Sequence, residues 1–390
     1  MTYQNNINRL YLIKAIRFFL LIMPVVIPFF RSKGLSMAEI MILQSVFSFS
    51  VVLFEVPSGY FGDVVGKKFS IVLGMLLSSV GFLLLYFSYG YVTLIFSEIV
   101  LGLAASFISG SDSALLYDSL LKIGKTDDYV KYQGRFTSAG NFSEATAGLV
   151  GGFLATFAIG LPILVHSIVL LLGFLVALTL KEVPIKRMNI IETNKNFKAI
   201  FKLITNNQIL KWWLAFTAVV AVGTLTTAWL AQAFFESIQM DLKFYGILWA
   251  ALNLIVGIGA LLSNTFKNNF KQSHILYSIM LTVCLGLPLA GFANSALGVL
   301  FILMINFFRG IKEPIIKERI NYFSPSDKRA TILSLNNLIF RLAFASLIPI
   351  GGFLLDVFPF KTAMSIYFLP LLLLGLFAVF MIGKLSKNDV

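Results

Sequence analysis

Long apolar runs alternate with short polar segments along the whole chain. Twelve runs reach the roughly 20 residues that an α-helix needs to cross the hydrocarbon of a bilayer. They cover 9–30, 38–62, 69–89, 91–121, 133–158, 161–181, 211–235, 244–264, 275–294, 296–320, 329–355 and 360–383, and are numbered here as spans 1–12. Runs such as 371–374, four leucines in a row, do not alternate apolar and polar positions as a transmembrane barrel would. The pattern therefore predicts an all-α integral membrane protein with twelve transmembrane helices.

The composition excludes several other classes of protein. Hydrophobic residues make up 58% of the 390 residues and charged residues only 13%, which is about half the charged share of a soluble domain. A soluble enzyme and a disordered chain are therefore excluded. The single cysteine, Cys284, cannot form an internal disulfide.

The distribution of positive charge indicates an orientation in the membrane. The net charge is +13, but the basic residues form short clusters between spans and not one patch, so no nucleic-acid partner is expected. If the amino terminus is cytoplasmic, 22 of the 31 Lys and Arg residues fall on the cytoplasmic side, four on the opposite side and five within spans. This bias predicts that both termini face the cytoplasm. Span 1 carries Lys14 and Arg17 within its apolar stretch and lacks a small-residue cleavage site, so it is not a cleaved signal peptide.

The longest polar stretch divides the spans into two equal sets. It predicts an N-terminal six-helix half at 1–181, a cytoplasmic linker at 182–210 and a C-terminal six-helix half at 211–390. Within the linker, the segment 196–204 places its apolar residues on one side of a helix. Both a basic helix lying on the inner leaflet and an ordinary amphipathic connector fit this pattern.

The two halves share a sequence repeat with a constant offset of 200 residues. The segment Gly-Gly-Phe-Leu at 151–154 recurs at 351–354. Two further regions keep the same offset, and each pair falls in the same-numbered span of its half. The matched pairs are Gly59 with Gly259, Lys67 with Lys267, Gly110 with Gly310, and Asp118 with Glu318. The constant offset predicts two parallel six-helix pseudo-repeats.

The loop between spans 2 and 3 carries a family motif. It reads Gly59-Tyr-Phe-Gly-Asp63-Val-Val-Gly66-Lys67-Lys68 and resembles the G-x-x-x-D-x-x-G-R-[KR] signature of the major facilitator superfamily. The segments 55–59 and 109–120 resemble bacterial members of that family, among which the multidrug and siderophore exporters are the most similar type. The loop departs from the signature at Lys67, where arginine is usual, so a monodentate ammonium replaces a bidentate guanidinium. The second copy of the loop, at 259–271, has Ser263 in the position of Asp63.

The resemblance implies alternating access, in which two halves rock about a central site lined mainly by spans 1, 4, 7 and 10. It also implies a cytoplasmic gate whose contacts break in each cycle, with Asp63 meeting a helix N-terminus or a basic group and Lys67 and Lys68 meeting Asp118. Gly59 and Gly66 would allow tight turning and close helix approach there. The alternative is that the lysines only fix the loop on the cytoplasmic side. The residues assigned to the gate are Gly59, Asp63, Gly66, Lys67, Lys68, Asp118 and Arg135.

Span 5 is rich in small residues. Gly134, Ser143, Ala147, Gly148 and the pair 151–152 approximate the antiporter motif G-x8-G-x3-G-P-x2-G-G, with Gly148 in place of the proline. This pattern is suggestive of export, and it equally fits plain close packing of helices.

Ionisable residues inside the spans are candidates for binding cargo and protons, because each costs about 2.5–3.5 kcal/mol at the bilayer centre. They either satisfy one another as structural ion pairs or contact cargo and protons directly. Trp229 and Gln232 share a face of span 7 and offer stacking and a hydrogen bond, or simply pack. The candidates for the cargo site are Arg17, Asp112, Trp229, Gln232, Arg309 and Arg341, and those for proton coupling are Glu144 and Asp112.

No enzyme motif is present in the sequence, and no metal or cofactor site is expected. Without a phosphate-binding loop the chain must draw energy from an ion gradient or from the gradient of its cargo. The sequence therefore predicts a monomeric secondary active transporter in the bacterial inner membrane, in contact with lipids, that exports a small amphipathic solute in exchange for protons. The alternatives are a solute importer, a lipid flippase or a non-transporting membrane scaffold with the same fold. The identity of the cargo cannot be read from the sequence.

Overall fold

A computed structural model of the chain describes residues 3–183, 204, 206–325 and 329–386. The described residues form fourteen α-helices and two short 3-10 helices, at Met23–Val25 and Thr126–Asp128. In chain order the α-helices are α1 (Tyr3–Phe18), α2 (Val26–Ser32), α3 (Met37–Val64), α4 (Lys67–Phe87), α5 (Tyr91–Ile108), α6 (Ser111–Lys122), α7 (Tyr129–Phe157), α8 (Leu161–Leu178), α9 (Gln208–Ser237), α10 (Lys243–Asn269), α11 (Gln272–Ala293), α12 (Gly298–Phe323), α13 (Arg329–Val357) and α14 (Phe360–Ser386).

The helices follow the twelve predicted spans. Span 1 consists of α1 and α2, span 4 consists of α5 and α6, and each of the other spans is one helix. Among the described residues, ten spans are long and apolar enough to cross a membrane by themselves. The two others, α7 and α12, are 29 and 26 residues long and carry several charged residues, which lowers their hydropathy. The all-helical, twelve-span fold predicted from the sequence is confirmed.

Two spans of the first half are interrupted where the sequence disfavours a helix. Span 1 breaks over residues 19–22, just before Pro24, which has no backbone N–H to continue the ladder. Span 4 breaks at Gly110, whose φ of 76° lies in the left-handed region that glycine adopts easily. α6 therefore begins inside the span, with Asp112 in its first turn.

The first of two compact units contains Met1–Leu35, Leu43–Met188 and Asp241–Ala250. In this unit α4 packs against α5 and α8, while α1 packs against α6, α7 and α8. Its core joins one apolar face from each of these helices. The buried side chains include Ile7, Leu10, Ile13, Ile71, Met75, Leu115, Leu116, Phe136 and Leu170.

The second compact unit contains Ser36–Ile42, Asn189–Met240 and Ala251–Val390. In this unit α11 packs against α12 and α14, and α9 packs against α12, α13 and α14. The start of α3 thus belongs to the second unit and the start of α10 to the first. The division into halves at 181 and 211 stays a prediction. Of the segment 196–204, only residue 204 is described, so the helix predicted there lies outside the described residues.

Candidate functional site

The predicted contact between Lys67 and Asp118 is present. α3 ends at Val64, and the chain turns at Gly66, with φ of 129°, directly into α4. This turn places Lys67 at the first position of α4, where its Nζ donates to Oδ2 of Asp118 on α6 at 2.6 Å. Both side chains are mostly buried, with 16% and 20% of their surface exposed. Both residues belong to the first unit, so the pair fixes the α3–α4 turn against α6.

A second carboxylate at this turn was not predicted. Oε2 of Glu182 accepts a hydrogen bond of 2.8 Å from the backbone N–H of Lys68, so it caps the N-terminus of α4, where an anion is favoured by the helix dipole. A Cβ atom built on Gly66 would lie 2.4 Å from the same oxygen. Gly66 is therefore required both by its positive φ and by the space that the Glu182 side chain fills. Glu182 lies 114 residues from Lys68, and no local pattern marks it as a cap.

The remaining gate residues behave differently from the expectation. The ammonium of Lys68 lies over the ring of Phe69 at 5.8 Å, while Asp118 pairs with Lys67. Arg135 on α7 is exposed. Asp63 is also exposed, and no ion pair of the described first unit includes it.

The close helix approach expected at Gly59 is not found, since open space surrounds that position. The approach occurs one turn later. A Cβ on Gly62 would lie 3.2 Å from Oγ of Ser111, next to Ser70, and Ser111 itself donates to Oγ of Ser70 at 3.2 Å. In this structure Gly62, and not Gly59, is the position of α3 that faces α4 and α6.

The second unit contains the repeat of the Lys67–Asp118 pair. Nζ of Lys267 on α10 lies 2.6 and 2.8 Å from the two carboxylate oxygens of Glu318 on α12. Here the side chains are 40% and 52% exposed. The contact has the same partners in the repeat, but it lies in a more hydrated environment.

Three charged residues predicted inside the spans form one cluster in the first unit. Nζ of Lys14 lies 3.5 Å and Nη1 of Arg17 lies 3.7 Å from Oδ2 of Asp112. Asp112 is 5% exposed, and its other oxygen, Oδ1, accepts from the backbone N–H of Ser113 at 2.6 Å. The carboxylate therefore lies at the N-terminal turn of α6, directly after the break at Gly110, and holds two cations of α1.

Glu144, the other proton-coupling candidate, is half-buried on α7. The adjacent Ser143 donates to the backbone oxygen of Ala15 at 2.6 Å, which ties this part of α7 to α1 beside Lys14 and Arg17. Glu144 thus lies on a helix that packs directly against the one carrying the two cations.

The small residues of α7 allow close contact on two sides. A Cβ on Gly151 would lie 2.0 Å from the backbone oxygen of Leu21, at the break of span 1. A Cβ on Gly152 would lie 2.6 Å from Cα of Gly246 at the start of α10. The antiporter-like pattern therefore has a packing role in this structure, as the alternative interpretation expected, and the export hypothesis is left without a separate test.

The candidates in the second unit are spread over three helices. On α9, Gln232 is buried and Trp229 is half-buried. Arg309 on α12 and Arg341 on α13 are half-buried, and the guanidinium of Arg341 lies 5.8 Å from the ring of its neighbour Phe340.

A carboxylate near the other end of α13 caps α3. Oδ1 and Oδ2 of Asp356 accept from the backbone N–H groups of Met37 and Ala38, each at 2.8 Å. Ser36 and Glu39 add a reciprocal capping box at the same helix start. A Cβ on Gly352 would lie 2.5 Å from the backbone oxygen of Met37. Asp356 was not predicted from the sequence, because its partners lie more than 300 residues away.

Broken spans, paired charges buried inside them and carboxylates at helix starts are features of a polytopic membrane transporter. Within the described residues, no group of His, Cys, Asp and Glu could hold a metal ion. A model of the Major Facilitator Superfamily matches residues 11–346. The chain therefore belongs to that superfamily, and it is a secondary transporter and not an enzyme.

Two relatives match over most of their length. The chain is 23% identical over 382 residues to the MFS-type transporter YxaM of Bacillus subtilis (strain 168), covering 94% of this chain and 93% of YxaM. It is 23% identical over 317 residues to the quinolone resistance protein NorA of Staphylococcus aureus (strain MSSA476), covering 78% of this chain and 77% of NorA.

Solved transporter structures share the fold. The nucleoside transporter NupG superposes with a TM-score of 0.79 at 13% identity, covering 97% of this chain and 99% of NupG. A D-xylose-proton symporter gives a TM-score of 0.76 at 14% identity and covers 97% of each chain. At these identities the similarity establishes the fold alone.

Proposed function

We propose that this transporter exports small amphipathic molecules in exchange for protons, by alternating access, with both termini in the cytoplasm of a bacterial cell. The observation that carries the proposal is the cluster of Asp112 with Lys14 and Arg17 inside the first unit. Ionisable groups at such a depth are costly and mark paths of substrates or protons. The cluster also lies directly after the break in span 4 at Gly110. A change in its charge can therefore shift the short helix α6 that begins there.

The chemistry of the cluster suits proton exchange. An ionised Asp112 attracts both cations through one oxygen, Oδ2. A proton bound to that oxygen removes the negative charge and releases Lys14 and Arg17. α6 starts only one residue before Asp112, so the protonation state can be coupled to a shift of α6 against α5. Glu144 on the adjacent α7 is the second candidate for the proton site.

The gate motif contributes in a different way from the one first expected. Lys67, Asp118 and Glu182 fix the turn between α3 and α4 within one unit. Asp63 is the exposed carboxylate of that turn, and it is the member of the motif that can make and break contacts during the cycle. In this proposal the turn faces the cytoplasm.

The direction of transport rests on the relatives. The quinolone resistance protein NorA is similar over 77% of its own length, and its name supports export of a small molecule from the cell. Import of a solute and lipid flipping are the alternatives within the same fold. The nucleoside and D-xylose transporters do not favour them, because at 13% and 14% identity they carry information on the fold alone.

The test is a transport assay in proteoliposomes with an imposed pH gradient, screened over a library of amphipathic dyes. Wild-type protein should move a dye against its gradient. If Asp112 carries the proton, Asp112→Asn should retain dye counterflow and lose uphill transport, and Glu144→Gln should be tested in the same way. Asp241→Asn is the matched control, since Asp241 is exposed between α9 and α10 and pairs locally with Lys243 at 2.8 Å, a hydrogen bond that lowers the pKa of Asp241.

Full uphill transport by both the Asp112 and the Glu144 variants would show that neither couples protons, and the cluster would then be a structural ion pair. A pH gradient that drives no dye in any protein would contradict proton coupling. Cysteine labelling of both termini from either side of the membrane tests the orientation independently.

A further inference from the structure

The repeat places opposite charges at matched positions of spans 4 and 10. With the offset of 200 that relates Gly110 to Gly310 and Asp118 to Glu318, Asp112 corresponds to Lys312. Asp112 has two cationic neighbours in the first unit. Its counterpart in the second unit is therefore a cation at the position where the first unit carries an anion.

Lys312 is buried in the second unit with one weak hydrogen-bond partner. The residue is 6% exposed, and its Nζ lies 3.4 Å from Oγ1 of Thr224 on α9. The Thr224 hydroxyl donates to the backbone oxygen of Val220 at 2.9 Å, so its oxygen is free to accept from the ammonium. An ammonium has three donors, and 3.4 Å is longer than the usual 2.7–3.2 Å of a hydrogen bond. Most of its donor capacity is unused among the described residues.

No ion pair of the described residues includes Lys312. Glu313, the nearest acid in sequence, is exposed, and its charge attracts the Lys312 amine without forming an ion pair with it. Arg309, one turn earlier on the same helix, is a further positive charge near the amine. A buried ammonium that forms no ion pair is unfavourable by several kcal/mol, and the exposed Glu313 offsets this only in part. A residue with this arrangement in a transporter is complementary to an anion that enters from outside the protein.

We infer that Lys312 binds an acidic group of the cargo, so that the cargo is an organic anion or a zwitterion with a carboxylate-like group. The inference rests on the proposed function, because it assigns a substrate class to the transport of a small amphipathic molecule. The Thr224 hydroxyl holds the amine in place, and the acidic group supplies the missing counter-ion. The remaining apolar part of the cargo then contacts the surrounding spans.

The experiment measures binding to the purified full-length protein in detergent by equilibrium dialysis. The probes are four amphipathic carboxylic acids of different size, including pyrenebutyrate, each paired with its methyl ester. Within a pair the ester lacks the negative charge and carries one additional methyl group. The wild-type protein should bind at least one acid about tenfold more tightly than its ester, the value of one hydrogen bond to a charged group.

Lys312→Met should remove this preference by weakening binding of the acid about tenfold without changing binding of the ester. Lys312→Arg should retain part of it. The matched control is Lys361→Met, an exposed lysine of the same unit, which should leave the preference unchanged. If Lys312→Met does not give a monodisperse protein, Lys312→Gln takes its place.

Two results would overturn the inference. One is equal binding of acid and ester by the wild type for all four pairs, and the other is an acid preference that persists in Lys312→Met, or in Lys312→Gln where that variant takes its place. Neither result affects the proposed function, which fails only if no compound is moved uphill by a pH gradient in the liposome assay.

Discussion

Lys67 and Asp118 form an ion pair of 2.6 Å, and the residues 200 positions further along, Lys267 and Glu318, form the same pair. In both cases the partners are 51 residues apart. The pairs differ in their surroundings, because the first is mostly buried and the second is half exposed to solvent. The same sequence repeat therefore gives contacts of equal length in environments that differ in burial.

The two pairs give a matched test of that difference. Lys67→Met should lower the free energy of unfolding by about 1–2 kcal/mol, because it leaves the Asp118 carboxylate with less water to replace its partner. Lys267→Met should change it by less than about 0.5 kcal/mol, as expected for an exposed pair. Chemical unfolding of both variants in the same detergent measures the difference. Equal effects would show that burial does not distinguish the two contacts.

The turn at Gly66 should tolerate no side chain. Gly66→Ala is expected to cost about 1–2 kcal/mol, because alanine disfavours a φ of 129° and its Cβ would lie 2.4 Å from the Glu182 carboxylate. Glu182→Ala should cost about 1 kcal/mol through loss of the cap on α4. In the double variant the clash is absent and only the backbone strain and the lost cap remain. Thermal unfolding of the three variants separates the contributions of the clash, the backbone strain and the lost cap. A fully stable Gly66→Ala would contradict this account of the turn.

Much of the fold followed from the sequence because apolar length and the constant offset are local or repeated signals. The twelve runs predicted the spans, and the family motif predicted the contact of Lys67 with Asp118. The pair of Lys267 with Glu318 was not predicted, although the constant offset relates these residues to the first pair. Glu182 and Asp356 could not be found in this way. Each caps a helix that begins more than 100 residues away, and neither residue differs in sequence from an ordinary loop or helix-end carboxylate.

The repeat matches Gly110 with Gly310, but the two glycines have different structural roles. Gly110 has a positive φ and interrupts span 4, whereas Gly310 lies within the continuous α12, and a Cβ there would lie 2.1 Å from the backbone oxygen of Val256. One glycine is used for its backbone freedom and the other for its lack of a side chain. The alignment of residue types cannot tell these two uses apart, since both require only the absence of Cβ.

A substitution of Asp63 tests whether this residue of the gate motif makes and breaks contacts during the transport cycle. Asp63→Asn should slow transport severalfold and leave expression near normal, because the exposed side chain contributes no ion pair to the fold of its described unit. The reactivity of a single cysteine placed in span 1, 4, 7 or 10, which the family resemblance assigns to the central site, should rise towards a reagent added on the cytoplasmic side. Asp241→Asn serves as the control for loss of one exposed carboxylate. Unchanged flux and unchanged labelling would leave the motif with a purely structural role.

The contact of Gly352 with the start of α3 can be tested by replacing the glycine with alanine. The expected change in stability is opposite in sign to that for a glycine at an open helix position. In an open helix position Gly→Ala stabilises by up to about 1 kcal/mol, and Gly383 on α14 has no atom within 4 Å of a built Cβ. Gly383→Ala should therefore raise the melting temperature slightly.

Gly352→Ala should lower it, because its Cβ would lie 2.5 Å from the backbone oxygen of Met37 and would push α3 away from Asp356. Asp356→Ala should lower the stability by about 1–2 kcal/mol through loss of two hydrogen bonds to a charged acceptor, and Asp356→Asn by less, since one oxygen remains. If the α3 contact is the cause, Gly352→Ala and Asp356→Ala should be less than additive in the double variant. Full additivity would show that the two residues stabilise the unit independently, and a melting temperature raised by Gly352→Ala would contradict the close approach itself.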